Sequence, residues 1–258
     1  MPFTLSANVD VLFTEAGDVP ARIAAAADAG FEAVEFWTSS DRDVDAIRRV
    51  ATDRGVQVTS MLAEPRTNIT FPDVDLEAYY DGVAATVDRA RQLSCPRIVV
   101  SGGTGYMRTK RPAQLQQVVD VYSEIVARTE GSGVEFMLEA FNVRVDHPGA
   151  LLDRTRDAVQ VVRAVDSERF GIIYDLYHSI TEDEDPASIF AEAGDVIRYL
   201  QIADVPGRGE PGSGSIDWPA LFGTIAATGY DGYIGLEFYP TKATAEAIAY
   251  IQQVNAAS

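Results

Sequence analysis

The stretch from 134 to 175 reads VEFMLE-AFNVRVDHPGALLDR-TRDAVQVVRAV-DSER-FGIIYD. Two short apolar runs, 134–139 and 170–175, flank an amphipathic segment at Thr155–Val165, and each run ends on an acid. Short apolar runs bounded in this way are typical of buried parallel strands. The stretch therefore predicts a strand–helix–strand unit with a carboxylate at the end of each strand.

The same unit recurs along the whole chain. Predicted strands are Thr4–Asn8, Ala33–Phe36, Gln57–Leu62, Arg97–Ser101, Val134–Glu139, Phe170–Asp175, Ile197–Ala203 and Tyr233–Glu237. Predicted helices are Val19–Ala29, Val44–Arg54, Leu76–Leu93, Ala113–Thr129, Thr155–Val165, Pro186–Ala193, Trp218–Ala227 and Lys242–Val254. Eight alternating pairs predict an α/β fold, a single (β/α)₈ TIM-barrel domain over residues 1–258. The main alternative, a doubly wound open sheet, would show a glycine-rich phosphate loop after the first strand, and Asn8–Phe13 contains no glycine.

Composition narrows the classes of partner. The chain has 258 residues, 47% of them apolar, and 21 Lys plus Arg against 39 Asp plus Glu give a formal charge of −18. Such an acidic chain is not expected to bind nucleic acid or an anionic membrane surface. A single cysteine, Cys95, precedes an apolar run, which predicts a buried structural thiol and no intrachain disulfide. Without a signal sequence or a spanning apolar run, we expect a cytoplasmic location.

Oxygen-bearing side chains recur at the ends of the last four predicted strands. Glu139, Asp175, Gln201 and Glu237 follow one another at intervals of 36, 26 and 36 residues. Strand ends converge at the C-terminal mouth of a barrel, and crowded carboxylates repel unless a cation or protons separate them. Carboxylates with one amide suit Mg²⁺ or Mn²⁺, and Zn²⁺ or Co²⁺ on oxygen ligands is also compatible. Spacing alone leaves open whether these residues bind a metal ion or are helix caps and loop residues.

Several motifs resemble the hydroxypyruvate isomerase family of the xylose isomerase-like barrels, whose near relatives are ketose 3-epimerases. The most specific is LQIADVPGRGEPGSG at 200–214. The others are LEAFN at 138–142, DHPG at 146–149, YDLYH at 174–178 and GYDGYIGLEFYP at 229–240, with weaker likeness at 8–15 and 29–35. The resemblance therefore covers nearly the whole chain.

This resemblance implies roles for individual residues. The positions that match the family's ligands to one divalent metal ion are Glu139, Asp175, Gln201 and Glu237. Glu139 and Glu237 also match its pair of acid/base carboxylates. His178, Arg208 and Glu35 match substrate-binding positions.

For three residues the sequence leaves two interpretations. His178 either donates a hydrogen bond to a substrate oxygen or bonds a backbone carbonyl in the core. Arg208 either clamps a substrate carboxylate or pairs with Glu210. His147 either contacts substrate or helps to start a helix.

The implied activity is a metal-dependent isomerisation of a small hydroxy-carbonyl compound, such as hydroxypyruvate, with proton transfer through an enediolate. A ketose 3-epimerase or a metal-dependent polyol-ketone dehydratase is the alternative. Departures from the family at Ala140–Phe141, Ser215 and Ser179–Asp185 border the expected pocket and leave the substrate open. A non-catalytic sugar-binding barrel is disfavoured by the acid/base pair, and a DNA repair nuclease by the negative charge and only two histidines. The resemblance also implies a homodimer or homotetramer.

Overall fold

Eight parallel strands close into a barrel in the computed structural model, which describes residues 2–258. Each strand pairs with the next one along the chain, and the last pairs with the first, so that Leu5 lies opposite Ile234. The strands are β1 Thr4–Asn8, β2 Ala33–Glu35, β3 Gln57–Leu62, β4 Arg97–Ser101, β5 Glu135–Glu139, β6 Phe170–Asp175, β7 Ile197–Ile202 and β8 Tyr233–Leu236. The closed parallel barrel confirms the predicted TIM-barrel fold and excludes the open sheet.

Helices connect the strands along the chain. They are α1 Val19–Asp28, α2 Val44–Arg54, α3 Leu76–Gln92, α4 Arg111–Arg128, α5 Thr155–Val165, α6 Leu176–Thr181, α7 Pro186–Ala193, α8 Trp218–Ala227 and α9 Thr244–Ala256, with a 3₁₀ turn at Thr14–Ala16. Predicted strands and helices differ from these by at most two residues at either end. The sequence does not predict α6, because six residues are too few to show a helical repeat of apolar side chains.

Aspartate side chains begin many of these helices. Asp217 is the N-cap of α8, where its Oδ1 accepts a hydrogen bond from the backbone N–H of Ala220 at 3.1 Å, with Pro219 in the first turn. The same type of cap occurs at Asp18, Asp43, Asp75 and Asp185. These caps fix where each helix leaves its loop.

The barrel interior contains an apolar layer below the C-terminal mouth. Val99, Met137, Ile173 and Tyr199 pack together there, one from each of the strands β4 to β7. Side chains two residues apart on a strand face the same side of the sheet. Residues two positions further along these strands therefore point into the mouth of the barrel.

The structure also bears on the predicted buried cysteine and on the search for membrane-spanning helices. Cys95 is buried and unpaired, and its thiol donates to the backbone carbonyl of Arg97 at 3.4 Å, as a structural cysteine would. Among residues 2–258, no helix combines the length and the apolar character needed to cross a membrane.

Candidate metal and active site

The mouth of the barrel carries three of the predicted strand-end residues in one layer. Glu139, Asp175 and Gln201 each lie two residues beyond a member of the apolar layer, and all three are buried. A cavity of about 280 Å³ opens above them, and Glu139 and Glu237 both lie in its wall. This volume is close to the lower end of the range for small-molecule sites.

Aromatic side chains form part of the same wall. Trp37, Phe141 and Tyr239 line the cavity, whereas Phe13 and Phe36, which also lie near strand ends, pack in the hydrophobic core. The cavity therefore combines carboxylates on one side with flat apolar surfaces, as sites for small polar ligands commonly do.

Glu139, Asp175 and His178 form a compact buried group. Each offers one atom, and the three atoms lie within 4.8 Å of one another. Nε2 of His178 is 3.4 Å from Oδ2 of Asp175 and 3.7 Å from Oε1 of Glu139. Two carboxylates and an imidazole at these distances are close enough to share a cation.

The protonation of His178 is determined by Asn142. The side chain of Asn142 has a fixed orientation, because its Oδ1 accepts from the backbone N–H groups of Val145 and Asp146. Its Nδ2 therefore faces Nδ1 of His178 at 2.6 Å, and the backbone N–H of Asn142 donates to the same atom at 3.3 Å. Burial lowers the pKa of His178 well below its usual value, and nearby Arg208 lowers it further. A neutral ring whose Nδ1 accepts carries its proton on Nε2, so in the metal-free protein His178 directs an N–H donor towards Asp175 and Glu139.

Glu237 lies one residue beyond β8 and is held by three donors. Nε1 of Trp37 donates to its Oε1 at 2.6 Å, and Nδ2 of Asn8 donates to the same oxygen at 3.2 Å. Nη2 of Arg208 donates to Oε2 at 2.6 Å and also lies 3.4 Å from Oδ2 of Asp175. The Arg208 guanidinium also lies over the ring of Tyr177.

Arg208 is carried by a loop that is organised around a buried carboxylate. Oδ2 of Asp204 accepts from the backbone N–H of Gly212 at 2.7 Å and from Nε1 of Trp218 at 2.9 Å, and Oδ1 accepts from Ile216 at 3.2 Å. Glu210, the alternative partner of Arg208, instead bonds to Thr241. The loop thus directs the Arg208 guanidinium towards the carboxylates of the site.

Gln201 and Glu35 form a separate buried contact under the cavity. Nε2 of Gln201 donates to Oε1 of Glu35 at 2.8 Å, while Ser60 donates to Oε2 of Glu35 at 3.1 Å. The other amide oxygen, Oε1 of Gln201, is buried and has no hydrogen-bond partner among residues 2–258. A buried carbonyl oxygen without a protein partner is unusual, and this one is free to accept a contact from a bound ion or another donor.

Gly235 on the neighbouring strand makes room for this pair. A Cβ at position 235 would lie 2.8 Å from both carboxylate oxygens of Glu35 and 3.0 Å from Cγ of Gln201. Any larger residue would displace Glu35, so the glycine in the Tyr-Ile-Gly-Leu strand has a specific packing role.

The charges of this cluster favour a bound cation. Burial raises the pKa of Glu139 well above its usual value, and the neighbouring charges of Glu237 and Asp175 raise it further. Burial also raises the pKa values of Asp175 and Glu237, although Arg208 opposes both shifts. Three buried carboxylates share one guanidinium, so a divalent ion would relieve their repulsion and satisfy Oε1 of Gln201. The donor set therefore fits an oxygen-liganded divalent metal.

The structure brings most of the predicted site residues together. Glu139, Asp175, Gln201, Glu237, His178 and Arg208 meet at one end of the barrel. Glu35 contacts Gln201, and neither of them lines the cavity, nor do Asp175 and His178. His147 lies in the cavity wall with its ring 4.4 Å from that of Phe141, and it is eight residues before α5 begins.

Sequence reasoning missed three residues at this site. Asn8 could have been found, since it ends a predicted strand as the acids do. Asn142 and Arg66 carry no such signal, because they lie in loops whose course only the folded chain sets. Asn142 acts on the site through its contact with Nδ1 of His178, and Arg66 lies in the cavity wall.

Comparison with known proteins agrees with this geometry. The family model described as "Xylose isomerase-like TIM barrel" matches residues 23–254. Hydroxypyruvate isomerase of Escherichia coli is 30% identical, over 93% of this chain and 94% of its own length. The 2-oxo-tetronate isomerase of Pectobacterium atrosepticum is 27% identical, over 96% of each chain. These relatives confirm the predicted assignment to the isomerases.

Solved structures agree in fold. A structure described as an AP endonuclease, family 2, from Brucella melitensis superposes with a TM-score of 0.89 and 24% identity, over 98% of this chain and 99% of its own. Ketose 3-epimerase structures also match, at identities that establish the fold alone.

Proposed function

The chain belongs to the xylose isomerase-like TIM barrel family, and within that family we propose that it is a metal-dependent isomerase of small hydroxy-keto acids, similar to hydroxypyruvate isomerase. The reaction would move a proton between adjacent carbons through an enediolate. The observation that carries the proposal is the pair of buried glutamates Glu139 and Glu237, which come from β5 and the end of β8 and line one cavity.

Glu139, Asp175, Glu237 and Oε1 of Gln201 would hold one divalent ion. Mg²⁺ or Mn²⁺ suits these oxygen donors best, and Zn²⁺ or Co²⁺ is the alternative. Such an ion, when bound, stabilises negative charge that develops on a substrate oxygen. The crowding of the carboxylates and the unpartnered oxygen of Gln201 support this ligand set.

Glu139 and Glu237 would move the proton. One removes it from carbon and the other delivers a proton to the neighbouring carbon. Burial raises the pKa values of both groups towards the range in which a carboxyl can accept and release a proton near neutral pH. Trp37 and Arg208 bond to opposite oxygens of Glu237 and so fix its orientation.

His178 and Glu35 would support the reaction by binding and positioning, without moving a proton to or from a substrate carbon. The Nε2–H of His178 would donate to a substrate oxygen, since the contacts of Asn142 commit the other ring nitrogen as an acceptor. Glu35 would position Gln201 rather than touch substrate. His147, in the cavity wall, would contact the substrate beside Phe141.

A ketose 3-epimerase is the second candidate. The same two glutamates could remove and return a proton on opposite faces of a single carbon. The fold match to ketose 3-epimerases is the observation that favours it. A polyol-ketone dehydratase would need one of these acids to protonate a leaving hydroxyl, and a non-catalytic sugar-binding barrel would leave the buried acid pair without a use.

Deuterium incorporation tests the proposal. The Mn²⁺-loaded protein is incubated in D₂O with hydroxypyruvate, with a 2-oxo-tetronate and with free ketoses, and carbon-bound deuterium is measured by NMR. Exchange with a keto acid that is lost in Glu139→Gln and in Glu237→Gln would support the isomerase.

The matched control is Glu246→Gln, which removes an exposed carboxylate on α9 and should exchange as the wild type does. Exchange with ketoses alone would favour the epimerase. No exchange with any of these compounds would refute both activities.

A further inference from the structure

We propose that Arg66 is an anion subsite that receives the carboxylate of the substrate, so that this chain selects hydroxy-keto acids over neutral ketoses. This inference rests on the proposed function and concerns the substrate class of the same cavity. Arg66 lies in the loop between β3 and α3, outside every motif that the family resemblance uses.

Arg66 lies where the catalytic cavity continues into a second recess. It borders both spaces together with Thr67, Ser101, Phe141 and His147. Glu139 and Glu237 border only the first space. A ligand that reaches from the glutamates into the recess would therefore contact the residues shared by both spaces, Arg66 among them.

The charge of Arg66 is not already neutralised by the protein. Arg66 is exposed and forms no ion pair or hydrogen bond with any residue in 2–258, although the chain carries a formal charge of −18. Arg208, the other arginine in the cavity wall, is bonded to Glu237 at 2.6 Å and lies 3.4 Å from Asp175. Arg66 is therefore the cation of this wall that can accept an incoming anion.

The loop that carries Arg66 is fixed on both sides. The Glu64 carboxylate accepts hydrogen bonds from the backbone N–H and hydroxyl groups of Ser39 and Ser40, at 2.6–3.0 Å. On the other side, Oδ1 of Asn68 accepts from the backbone N–H of Thr104 at 2.9 Å. A guanidinium on an anchored backbone loses less freedom when it binds a ligand, which is what a recognition site requires.

The polar groups around Arg66 suit a carboxylate better than a phosphate. A single guanidinium matches one carboxylate in a bidentate manner. The neighbouring hydroxyls of Thr67 and Ser101 can donate but add no charge, and the Asp146 carboxylate, which also borders the recess, adds a negative one. Burial lowers the pKa of His147, and the charges of Arg208 and Arg66 lower it further, so that His147 is neutral near pH 7. One positive charge is enough for a monoanion and leaves a phosphate dianion partly uncompensated.

The test compares an acid with its uncharged analogue in the Mn²⁺-loaded protein. Solvent deuterium exchange is measured for a 2-oxo-tetronate and for the neutral ketose erythrulose, in wild type and in Arg66→Gln. We expect KM for the acid to rise about ten- to hundredfold, as for loss of a charge-assisted hydrogen bond, while kcat changes little and exchange of erythrulose is unaffected. The control Arg108→Gln removes the same charge from an exposed arginine that borders neither space, and should leave both substrates unchanged.

A binding measurement separates this inference from the proposed function. Calorimetric titration with erythronate, an acid without a carbonyl group, should show binding to the wild type that is lost in Arg66→Gln even if no substrate exchanges. Acid exchange that is equal in wild type and Arg66→Gln would overturn the role of Arg66 and leave the isomerase intact. Preference for a ketose phosphate over the acid, lost in Arg66→Gln, would overturn the carboxylate assignment.

Discussion

Nε2 of Gln201 donates a 2.8 Å hydrogen bond to Oε1 of Glu35, and this contact turns Oε1 of Gln201 away from Glu35. An amide has one donor side and one acceptor side, so a carboxylate on the donor side fixes the direction of the oxygen. Glu35 itself is held by Asn8 and Ser60. The contact with Glu35 therefore leaves Oε1 of Gln201, an uncharged oxygen, buried and free to bind a ligand.

Removal of Glu35 should weaken metal binding. In Glu35→Ala the Gln201 amide loses its orientation, and we expect the Kd for Mn²⁺, measured by calorimetry on the metal-free protein, to rise about 10- to 100-fold. Glu35→Gln keeps an oxygen that can accept from Gln201, so its Kd should stay within a few-fold of wild type. Equal Mn²⁺ affinity in Glu35→Ala and wild type would contradict the positioning role.

Glu35 should also make the metal-free protein less stable as pH rises. Burial and the charge of Glu237 raise its pKa to about 7. A raised pKa in the folded state gives a stabilising contribution that is complete below the ordinary value of 4.5 and is lost as pH rises through about 7. Glu35→Gln has no such group. Between pH 4.5 and about pH 7, the free energy of unfolding of Glu35→Gln relative to wild type should therefore rise by at most about 3 kcal/mol. Urea unfolding at several pH values checks this, and a constant difference would contradict it.

Asn142→Asp should reverse the tautomer of His178. Aspartate keeps the oxygen that accepts from Val145 and Asp146 but replaces the donor that faces Nδ1 with an acceptor. We expect the ring proton to move to Nδ1 and kcat to fall about 10²-fold, since the site would lose the proposed Nε2–H donor. The chain has two histidines, so long-range ¹H–¹⁵N NMR spectra of labelled protein can assign both rings. An Nε2–H ring in both proteins would refute the proposed control by Asn142.

Glu64→Gln should destabilise the loop that carries Arg66. Burial acts to raise the pKa of Glu64, but hydrogen bonds from Ser40 and Ser39 outweigh it and lower the pKa below 4.5. The stabilising contribution is therefore present above pH 4.5 and is lost as pH falls through the lower folded-state value. At pH 7 we expect a loss of about 1–3 kcal/mol in the free energy of unfolding, against a loss below about 1 kcal/mol in Glu246→Gln, which removes an exposed carboxylate from the first turn of α9. As pH falls, the difference in free energy of unfolding between Glu64→Gln and wild type should become smaller. A difference that grows instead would show that the carboxylate does not anchor the loop.

Local sequence patterns were enough to predict the barrel and the strand ends that carry the candidate metal ligands. Strand and helix periods are local properties, so the alternation of short apolar runs with amphipathic segments predicted all eight strands to within a residue. The rule that strand ends converge then predicted that Glu139 and Asp175 lie close together. Asp217 shows the same locality, since a helix cap depends on a few adjacent residues.

Tertiary structure decided what those groups contact. Arg208 pairs with Glu237 and Asp175 rather than with Glu210, which is only two residues away, because the loop around Asp204 turns the guanidinium inwards. Glu35 supports Gln201, which is far away in sequence and adjacent only in the closed barrel. Contacts between distant residues depend on loop paths and barrel closure, which no local pattern encodes, whereas strand and helix periods depend on neighbouring residues alone.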